Sequence, residues 1–370
     1  MTRDQFDRID IENAKARERL SDVFEKLGIK VKGKMCLCPF HIEKTPSCKV
    51  DDRKGRYECF ACGEWGDHFD ILQHMRGLSF VEAVEELGGV RPATPEERKK
   101  IEERQVEIEK EDAEEAKRKA TRVQQLVADA QDWRETLVEQ YLANRGIVLG
   151  GGFGIDLKFA PGLGYYGFAD AQAEEVKLLG EYPAMLGKIR DERGAVIGVH
   201  RTYLDPAGVK LAPPGDAKRN KAKKITGDMR GGLIWLTRAS INMGMGEGIE
   251  TTFSWYLLGG GETIGWDGEA TSLAAGVSMS NISGRCTGRI RHPRNPAKTI
   301  PNGIPDLTQP GIVLPKTVRS VALLGDGDSD EWATRQCLVA GGNRFKHQGV
   351  EVFVSMADAG VDFNDMLVKP

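Results

Sequence analysis

Two short motifs that pair metal ligands constrain the fold of this chain more than any other feature. Cys38 and His41 form the first pair, and Cys59 and Cys62 form the second pair after 17 intervening residues. Zinc prefers four soft or borderline ligands in a tetrahedron, and a two-residue gap allows one tight turn to present two of them. The spacing therefore predicts a closed, structural zinc site near the N-terminus.

The residues between the two pairs have the pattern of a β-hairpin. Residues 47–50 favour an extended conformation, residues 51–55 form a polar turn sequence with a glycine, and residues 56–60 return. Cys36 and Cys48 lie nearby and could compete for the metal, although neither completes a two-residue pair as well. A module this small is not expected to fold without its zinc.

A second pattern occurs twice in the C-terminal half. Residues 241–258 and 321–331 each run from a short apolar segment into a glycine-flanked acidic turn and then into a predicted helix. Such units belong to α/β sheets, whose strand ends carry the chemistry. The acids at these turns are Glu247, Asp326 and Asp328. Because three carboxylates repel each other in a partly dry site, the pattern predicts magnesium or manganese between them; a solvated turn is the alternative.

Composition excludes several classes of protein. With 370 residues, a hydrophobic share of 40% and a charged share of 29%, the chain is long enough for two or three soluble domains. It has no run of about 18 apolar residues for a membrane span, and its charged N-terminus lacks the apolar core of a signal peptide. We therefore expect a cytoplasmic protein with reduced cysteines and no membrane partner.

The charge of the chain is unevenly distributed. A net charge of −3 argues against a globally basic nucleic-acid coat. However, residues 210–224 hold six basic residues against one acid, Asp216, and residues 285–298 hold five basic residues and no acid. Such patches suit phosphate backbones. The alternative is a pair of loops that charge keeps soluble.

Helix-capping signals mark the rest of the N-terminal half. Asp67 can cap one helix, and Ser79 with Glu82 forms a capping box for another. Thr94 starts a highly charged helix, which we interpret as a solvated linker. This helix is expected to pack only from Val123 onwards and to continue to residue 144.

The sequence around the zinc motif, CPFHIEKTPSCKV and then YECFACGEWGDHFDIL, closely resembles the zinc ribbon of DnaG-type bacterial primases. In that family the sheet face of the ribbon meets single-stranded template, so the resemblance implies phosphate contacts and base stacking there. The phosphate contacts would come from Lys44, Lys49, Arg53, Lys54 and Arg56, and the stacking from Tyr57, Phe60 or Trp65. Core packing is the alternative for each aromatic residue, and we favour it for Phe60 and Phe69.

The two acidic turns resemble the Toprim domain of primases and topoisomerases, which has a Glu-Gly turn after one strand and Asp-x-Asp after another. Residues 359–365 fall where that family has its third acidic cluster, so the resemblance implies that Asp362 and Asp365 hold a further ion or orient the first. Thr251 and Asn364 depart from the pattern, because acids are common at those positions. The site is therefore expected to hold fewer or weaker metals than is usual.

The segment between linker and acidic turns also resembles DnaG-type primases. Residues 185–189 and 195–203 alternate as the strands of a hairpin. Arg201, Lys223 and Lys224 fall where those primases have an arginine-bearing strand and a lysine loop. The resemblance implies that these side chains bind nucleoside triphosphate or template phosphates. Exposed side chains without such a role are the alternative.

Residues 284–315 form a basic, proline-rich insertion, which we expect to be a flexible loop beside the template channel. The sequence has no GxxxxGKS or GxxxxGKT motif and thus no P-loop motor of its own. It ends just after the Toprim pattern, without the helicase or helicase-binding domain of many primases. In this it resembles stand-alone primases of phages and mobile elements, which implies a helicase that acts in trans.

Together these patterns predict a multidomain fold of the α+β and α/β classes. The predicted parts are a zinc-ribbon template-binding domain over residues 1–93, a charged helical linker over 94–145, the N-terminal subdomain of a primase polymerase core over 146–235 and a Rossmann-like Toprim catalytic domain over 236–370. The resemblance implies a DNA primase, which makes short RNA primers from ribonucleoside triphosphates on single-stranded DNA. The alternatives are a Toprim-type nuclease or topoisomerase-like enzyme and a non-catalytic single-stranded-DNA-binding module.

Overall fold

The computed structural model describes residues 7–41, 43–60, 62–89, 91–266 and 270–369. The chain forms two compact units, Met1–Arg118 and Lys119–Pro370. The elements that begin in the first unit are α1 (Arg8–Lys15), α2 (Leu20–Lys26), β1 (Met35–Cys36), β2 (Cys48–Asp51), β3 (Arg56–Cys59), β4 (Trp65–Gly66), α3 (His68–Arg76), α4 (Phe80–Glu86) and α5 (Pro95–Asp129).

The second unit contains an antiparallel sheet, a mostly parallel sheet and a separate hairpin. Its elements are α6 (Leu137–Asn144), β5 (Leu157–Gly167), β6 (Lys177–Arg190), β7 (Val196–Tyr203), β8 (Lys223–Gly227), β9 (Ile234–Trp235), β10 (Asn242–Gly246), α7 (Ile249–Leu257), β11 (Thr271–Ala275), α8 (Met279–Ser283), β12 (Arg289–His292), β13 (Asn295–Pro301), β14 (Ser320–Gly325), α9 (Glu331–His347), β15 (Glu351–Met356) and α10 (Phe363–Val368).

The strands of the first unit form an antiparallel sheet in the order β1-β2-β3-β4. Cys48 of β2 lies opposite Cys59 of β3, and Asp51 lies opposite Arg56, so residues 52–55 make the connecting turn. The hairpin predicted between the two zinc motifs is confirmed. Buried side chains beneath it form one apolar core, which includes Leu20, Phe24, Phe40, Val50, Phe69 and Ile71.

Three predicted helix starts are also confirmed. The Asp67 carboxylate caps α3 by accepting hydrogen bonds from backbone N–H groups in its first turn. Ser79 and Glu82 form a reciprocal capping box at α4, in which each side chain accepts from the backbone N–H of the other. Thr94 and Glu97 make the same pair at the start of α5. These bonds satisfy donors that a helix leaves unpaired.

The long helix α5 departs from the prediction of a solvated linker. In the first unit its Glu111 and Asp112 form ion pairs with Arg53 and Lys54 of the ribbon turn. Arg104 of the same helix donates a hydrogen bond to the backbone carbonyl of Arg53 at 2.6 Å. The prediction of a wholly solvated helix is therefore wrong for this stretch. A charged helix face suits water and an oppositely charged neighbour equally well, so composition alone does not distinguish them.

The prediction that this helix continues to residue 144 is also wrong. α5 ends at Asp129, and α6 begins after Thr136, whose hydroxyl accepts a hydrogen bond from the Val138 N–H at 3.2 Å. Between the two helices, Gln131 and Phe159 exchange backbone hydrogen bonds of 2.8 and 3.0 Å. This bridge to β5 requires backbone groups that a continuous helix would already use.

The second unit begins with an antiparallel sheet in the order β5-β6-β7-β8. A turn over residues 191–195 joins β6 to β7, which confirms the predicted hairpin. Asp156 is buried beside this hairpin and forms ion pairs with Lys188 at 3.0 Å and Arg190 at 2.8 Å. It also accepts a hydrogen bond from the Trp235 N–H, so it links the antiparallel sheet to β9 of the next sheet.

The other large sheet has the strand order β15-β14-β10-β11-β9. All neighbouring strands are parallel except β9, which runs antiparallel to β11. The central strands β10 and β14 are buried along their whole length, as is typical of parallel sheets covered by helices. Because α7, α9 and α10 follow β10, β14 and β15, the carboxyl ends of three neighbouring strands meet at one edge. The predicted α/β fold of this region is confirmed.

The insertion over residues 284–315 is ordered, so the prediction of a flexible loop is wrong. β12 and β13 form an antiparallel hairpin within it. Arg344 of α9 is buried and donates hydrogen bonds to the backbone carbonyls of Asp306 at 2.8 Å and Gln309 at 3.2 Å. An arginine on a distant helix thus fixes the insertion, and the local sequence contains no sign of this contact.

No helix in the described part of the chain has the length and apolar character needed to cross a membrane. The longest, α5, carries charged residues along most of its length.

Candidate active site and zinc centre

The four predicted zinc ligands come together in the first unit. Cys38 Sγ lies 3.7 Å from Cys62 Sγ, and Cys59 Sγ lies 3.8 Å from His41 Nδ1. A tetrahedral zinc ion with Zn–S bonds of about 2.3 Å separates its sulfur ligands by roughly 3.8 Å, so the donors fit this ion. Among the described residues, they are the one group of three or more possible ligands whose donor atoms all lie within 4.8 Å of each other. The nearby Cys36 and Cys48 are not members of it.

Glu43 supports the zinc centre from outside the ligand set. Its carboxylate lies 3.0 Å from Nε2 of His41, whose Nδ1 faces the ligand cluster, so Nε2 carries the proton and donates it. The same carboxylate accepts hydrogen bonds from the backbone N–H groups of Cys38 at 2.6 Å and Ser47 at 3.1 Å. It therefore orients two turns at once. The sequence analysis assigned no role to Glu43, although its place two residues after His41 was a usable signal.

The division of the aromatic residues of the ribbon into buried and exposed ones differs from the prediction. Tyr57 is only 3% exposed and packs against the rings of Phe24 and Phe40, so base stacking by Tyr57 is ruled out by its burial. Phe60 is 53% exposed, which makes the preference for core packing at that position wrong. Trp65 is 43% exposed, as a base-stacking residue would be. Alternation along β3 explains the burial of Tyr57, which faces the core with Cys59, whereas Trp65 of β4 lies opposite Glu58 on the other face.

Phe69 is fully buried in α3, so its predicted core position is confirmed. The basic residues of the ribbon are less free than expected. Arg53 pairs with Glu111, and both Lys54 and Arg56 pair with Asp112. The other two predicted phosphate contacts differ in exposure, since Lys44 is exposed and Lys49 is half-buried beside Asp51.

The predicted acidic residues meet at the carboxyl edge of the parallel sheet. Glu247 follows β10, Asp326 and Asp328 follow β14, and Asp362 is the N-cap of α10 after β15. All four line one cavity. Within the described residues their carboxylate oxygens do not form a group closer than 4.8 Å throughout, so the acids surround an open space.

The electrostatics of this cavity favour a bound cation. Burial, assisted by the Asp326 carboxylate, raises the pKa of Glu247 to about 7. Burial and the Asp362 carboxylate raise the pKa of Asp326 to about 6. Asp326 Oδ1 is buried and has no hydrogen-bond partner among the described residues. Glu247 and Asp326 are half-buried and Asp328 is exposed. Partly buried acids with a free oxygen are a donor set that a hard divalent ion satisfies.

Thr251 and Glu250 have separate roles next to these acids. The Thr251 hydroxyl donates a hydrogen bond to Asp326 Oδ2 at 3.2 Å, so the residue that departs from the Toprim pattern orients an acid of the cavity. Glu250 is buried and accepts a hydrogen bond from the Tyr141 hydroxyl at 2.6 Å and from the Lys223 ammonium at 3.0 Å. Burial alone would raise the pKa of Glu250, but Lys223 and Tyr141 hold it well below its usual range.

Basic side chains also line this cavity. Arg145, Lys210 and Lys223 line it together with His200. Burial lowers the pKa of His200 to about 4, so its imidazole is neutral near pH 7. Only Lys223 among these was a predicted site residue. Lys210 begins the basic patch of residues 210–224, whereas Arg145 comes from a segment with no recognisable motif.

Arg201 and Lys224 do not line this cavity. They are direct cross-strand partners on β7 and β8, and side chains alternate along a strand, so they lie on the sheet face opposite His200 and Lys223. Arg201 donates to the Tyr203 hydroxyl, and the Lys224 ammonium lies 4.0 Å from the centre of the Tyr165 ring. Adjacent residues of a strand cannot share one face, so Arg201 and Lys224 do not join Lys223 in the cavity lining. Their binding of nucleoside triphosphate or template phosphates stays a prediction.

The remaining predicted metal ligand, Asp365, also lies outside the cavity lining. Its backbone N–H donates to Asp362 at 2.7 Å, and its carboxylate lies 3.7 Å from the Lys369 ammonium. Asn364 donates hydrogen bonds from its buried amide to the Arg145 carbonyl and to the Ser254 hydroxyl. The amide at this position therefore joins α10 to α7 and to the segment after α6.

Comparison with known protein families gives matches in two regions of the chain. Residues 7–102 match the CHC2 zinc finger of the DnaG zinc-ribbon family, and residues 117–236 match a domain of unknown function, DUF7146. The DNA primase of Campylobacter jejuni is 39% identical over 83 residues, which are 22% of this chain and 14% of that protein. The DNA primase of Escherichia coli is 41% identical over 86 residues, or 22% of this chain and 15% of that protein. The chain thus spans about a seventh of the curated relatives that it matches.

Solved structures give only distant likenesses. The zinc-binding and RNA polymerase domains of the Aquifex aeolicus primase align with 97% of this chain and 82% of theirs, at 17% identity and a TM-score of 0.35. A DnaG primase catalytic domain bound to single-stranded DNA aligns with 70% of this chain and 78% of its own, at 14% identity and a TM-score of 0.40.

Proposed function

We propose that this chain, which belongs with the DnaG-type primases through its CHC2 zinc ribbon, is a DNA primase that joins ribonucleoside triphosphates into short primers on single-stranded DNA. The observation that carries the proposal is the joint presence of this ribbon and of a cavity lined by both acids and cations. A ribbon alone would serve binding, and an acidic cavity alone would equally suit a nuclease.

The cavity has the charge pattern of a site for a metal-bound triphosphate. Glu247, Asp326 and Asp328 would hold one or two magnesium or manganese ions, and Asp362 would orient them in the manner of a Toprim domain. When bound, such ions neutralise charge on the phosphates and lower the pKa of the attacking 3′-hydroxyl. The unpartnered oxygen of Asp326 and the raised pKa values of Glu247 and Asp326 support this role.

The chain's own cations would bind the polyphosphate. Lys223 is held in place by Glu250, and Arg145 and Lys210 line the same cavity. Their positive charge favours an incoming triphosphate and opposes the repulsion between its phosphates and the acids. Positioning and electrostatics of this kind suffice for nucleotidyl transfer, so no protein nucleophile is required.

The ribbon would bind the template. Phe60 and Trp65 expose aromatic rings on which bases can stack, and Lys44 is available for a phosphate. Arg53, Lys54 and Arg56 would have to exchange their acidic partners on α5 for phosphates. On the second unit, Arg201 and Lys224 are proposed as template contacts on the other face of the antiparallel sheet.

Primer synthesis from labelled ribonucleotides on unprimed single-stranded DNA tests this function. The native chain with magnesium or manganese should give short products, and Asp326→Ala/Asp328→Ala should abolish them while the chain stays folded. Asp358→Ala, which removes an exposed acid outside the cavity lining, is the matched control and should retain activity. Cleavage of the template without new products would instead indicate a nuclease. Binding without either reaction would indicate a non-catalytic module.

A further inference from the structure

The hairpin formed by β12 and β13 has two distinct faces. Arg291 of β12 lies directly opposite Thr299 of β13, and Ile290 lies opposite Ile300. Cross-strand partners share a face, and neighbouring residues alternate. On this face Ile300 is almost completely buried and Ile290 is 43% exposed, so the face is directed to the protein at Ile300. Arg291 lies on the other face and is exposed.

A buried histidine fastens the tip of this hairpin to α9. His292 Nδ1 accepts hydrogen bonds from the backbone N–H groups of Arg294 at 3.1 Å and Asn295 at 3.0 Å. The proton of the imidazole is therefore on Nε2, which donates to Asp330 Oδ2 at 2.9 Å. Asp330 is the N-cap of α9 and comes two residues after Asp328 of the acidic cavity. The tip is thus held beside the carboxyl edge of the parallel sheet.

The base of the hairpin is fastened independently. Arg344 binds the Asp306 and Gln309 carbonyls, and the Asn343 side chain donates a hydrogen bond to the Gly303 carbonyl at 3.1 Å. Attachment at both ends makes the hairpin an ordered arm with a fixed position relative to the cavity of the same unit.

The outer surface of the arm carries two exposed arginines. Residues 285–298 include five basic residues and no acid, and the other three, Arg285, Arg289 and Lys298, are half-buried. Arg291 and Arg294 are exposed, and neither is paired with a carboxylate in the part of the chain that the structure describes. The Arg291 guanidinium donates one hydrogen bond to the Pro296 carbonyl at 3.0 Å, which leaves its other N–H groups for a further acceptor. An ordered segment that keeps guanidinium groups without a carboxylate partner in water, in the same unit as the acidic cavity, is suited to a polyanion that extends from that cavity.

We propose that Arg291 and Arg294 of the β12–β13 arm bind the phosphate backbone of the nucleic acid engaged at the acidic cavity. The proposal rests on the proposed primase function for the identity of the polyanion. It assigns no base recognition to the arm, because guanidinium contacts to phosphates carry no sequence information. The strand is either the single-stranded template or the template in its duplex with the primer, and both offer the same phosphates.

The test measures binding by the full-length chain to a labelled single-stranded DNA and to an RNA–DNA hybrid at several salt concentrations. Each lost phosphate contact lowers the slope of log affinity against log salt by about 0.7 for a single strand and about 0.9 for a duplex. Arg291→Ala/Arg294→Ala should therefore lower the slope by about 1.4 or about 1.8. Arg193→Ala/Arg238→Ala removes two exposed arginines outside the acidic cavity and is the matched control. Arg291→Lys/Arg294→Lys should restore most of the slope.

The outcomes separate the possibilities. A lower slope for the single strand alone assigns the arm to the template, and a lower slope for the hybrid alone assigns it to the duplex. An unchanged slope for both ligands, or the same decrease in the control, overturns the proposal. Binding is measured without synthesis, so the two proposals can fail separately. If the native chain makes no primers but the arm variant still shows the lower salt slope, the primase function is refuted and the arm assignment stands.

Discussion

Lys54 in the turn of the zinc ribbon forms an ion pair with Asp112 of the long helix, 58 residues away in the sequence. Arg56 reaches the same carboxylate, and Arg53 pairs with Glu111 one residue earlier. The helix therefore presents carboxylates where a template strand would present phosphates. Exposed pairs of this kind contribute little to stability because water screens them, so a phosphate backbone can displace them.

The first prediction concerns this competition. Glu111→Gln/Asp112→Asn should strengthen the binding of single-stranded DNA by a few-fold at low salt, because two carboxylates no longer compete for the basic turn. Glu102→Gln/Glu103→Gln removes two acids of the same helix that have no ion pair with the ribbon turn in the described structure. Titration of labelled DNA by fluorescence anisotropy compares the two variants, and equal affinities would contradict the prediction.

Sequence reasoning anticipated which candidate residues come together where local pattern determines their position. The spacing of Cys38 and His41 requires one turn with two ligands, and an acidic turn after an apolar strand places Asp326 at a sheet edge. It missed the link from Tyr141 to Glu250, because those residues are 109 positions apart and meet only after packing. It also grouped Lys223 with Lys224, although strand alternation directs neighbouring residues to opposite faces.

The second prediction concerns the link between α6 and the acidic cavity. Tyr141→Phe removes a buried hydrogen bond to the Glu250 carboxylate and should destabilise the second unit by about 1.5–3 kcal/mol, as is typical for bonds to charged groups. Urea unfolding monitored by circular dichroism measures the loss. Tyr166→Phe, at an exposed position, should change the free energy of unfolding little. An equal decrease in the free energy of unfolding in both variants would show that the hydrogen bond from Tyr141 to Glu250 makes no specific contribution to stability.

The third prediction is a dependence of stability on pH. Burial and the charge of Arg201 lower the pKa of Lys224 from an ordinary value of 10.5 to about 8. Between these two values the unfolded chain binds a proton that the folded chain has released, so this residue makes the free energy of unfolding rise with pH from about 8 to 10.5. Lys224→Met should remove that contribution, while Lys224→Arg should keep a penalty that does not vary over this range. Parallel pH profiles for the native chain and Lys224→Met would refute the assignment.

The fourth prediction concerns the support of the zinc centre. Glu43→Gln keeps the size of the side chain but weakens its hold on His41, so zinc affinity should fall by about 10–100-fold. Competition with a chromogenic chelator gives the affinity directly. Glu58→Gln changes a half-buried acid of β3 that does not contact the ligands and should leave it unaltered. An equal decrease in zinc affinity for the two substitutions would mean that Glu43 acts only through its negative charge and not through its contact with His41.

The fifth prediction separates the two roles of aromatic residues in the ribbon. Phe60 and Trp65 are largely exposed, so Phe60→Ala and Trp65→Ala should leave folding and zinc content intact. Each should weaken single-stranded-DNA binding by about 1–3 kcal/mol, the usual value of one stacked base. Tyr57 is instead enclosed by Phe24 and Phe40, so Tyr57→Ala should destabilise the ribbon by about 3–5 kcal/mol.

Zinc retention, thermal unfolding and DNA affinity measured on the three variants distinguish these effects. A loss of affinity without loss of stability at Phe60 or Trp65 identifies a surface that binds bases. If instead both exposed variants bind DNA like the native chain, the template must be held elsewhere, and the basic arm of the second unit becomes the principal contact. If Tyr57→Ala instead keeps zinc and stability but loses DNA affinity, the role of Tyr57 is to bind DNA and not to pack against Phe40.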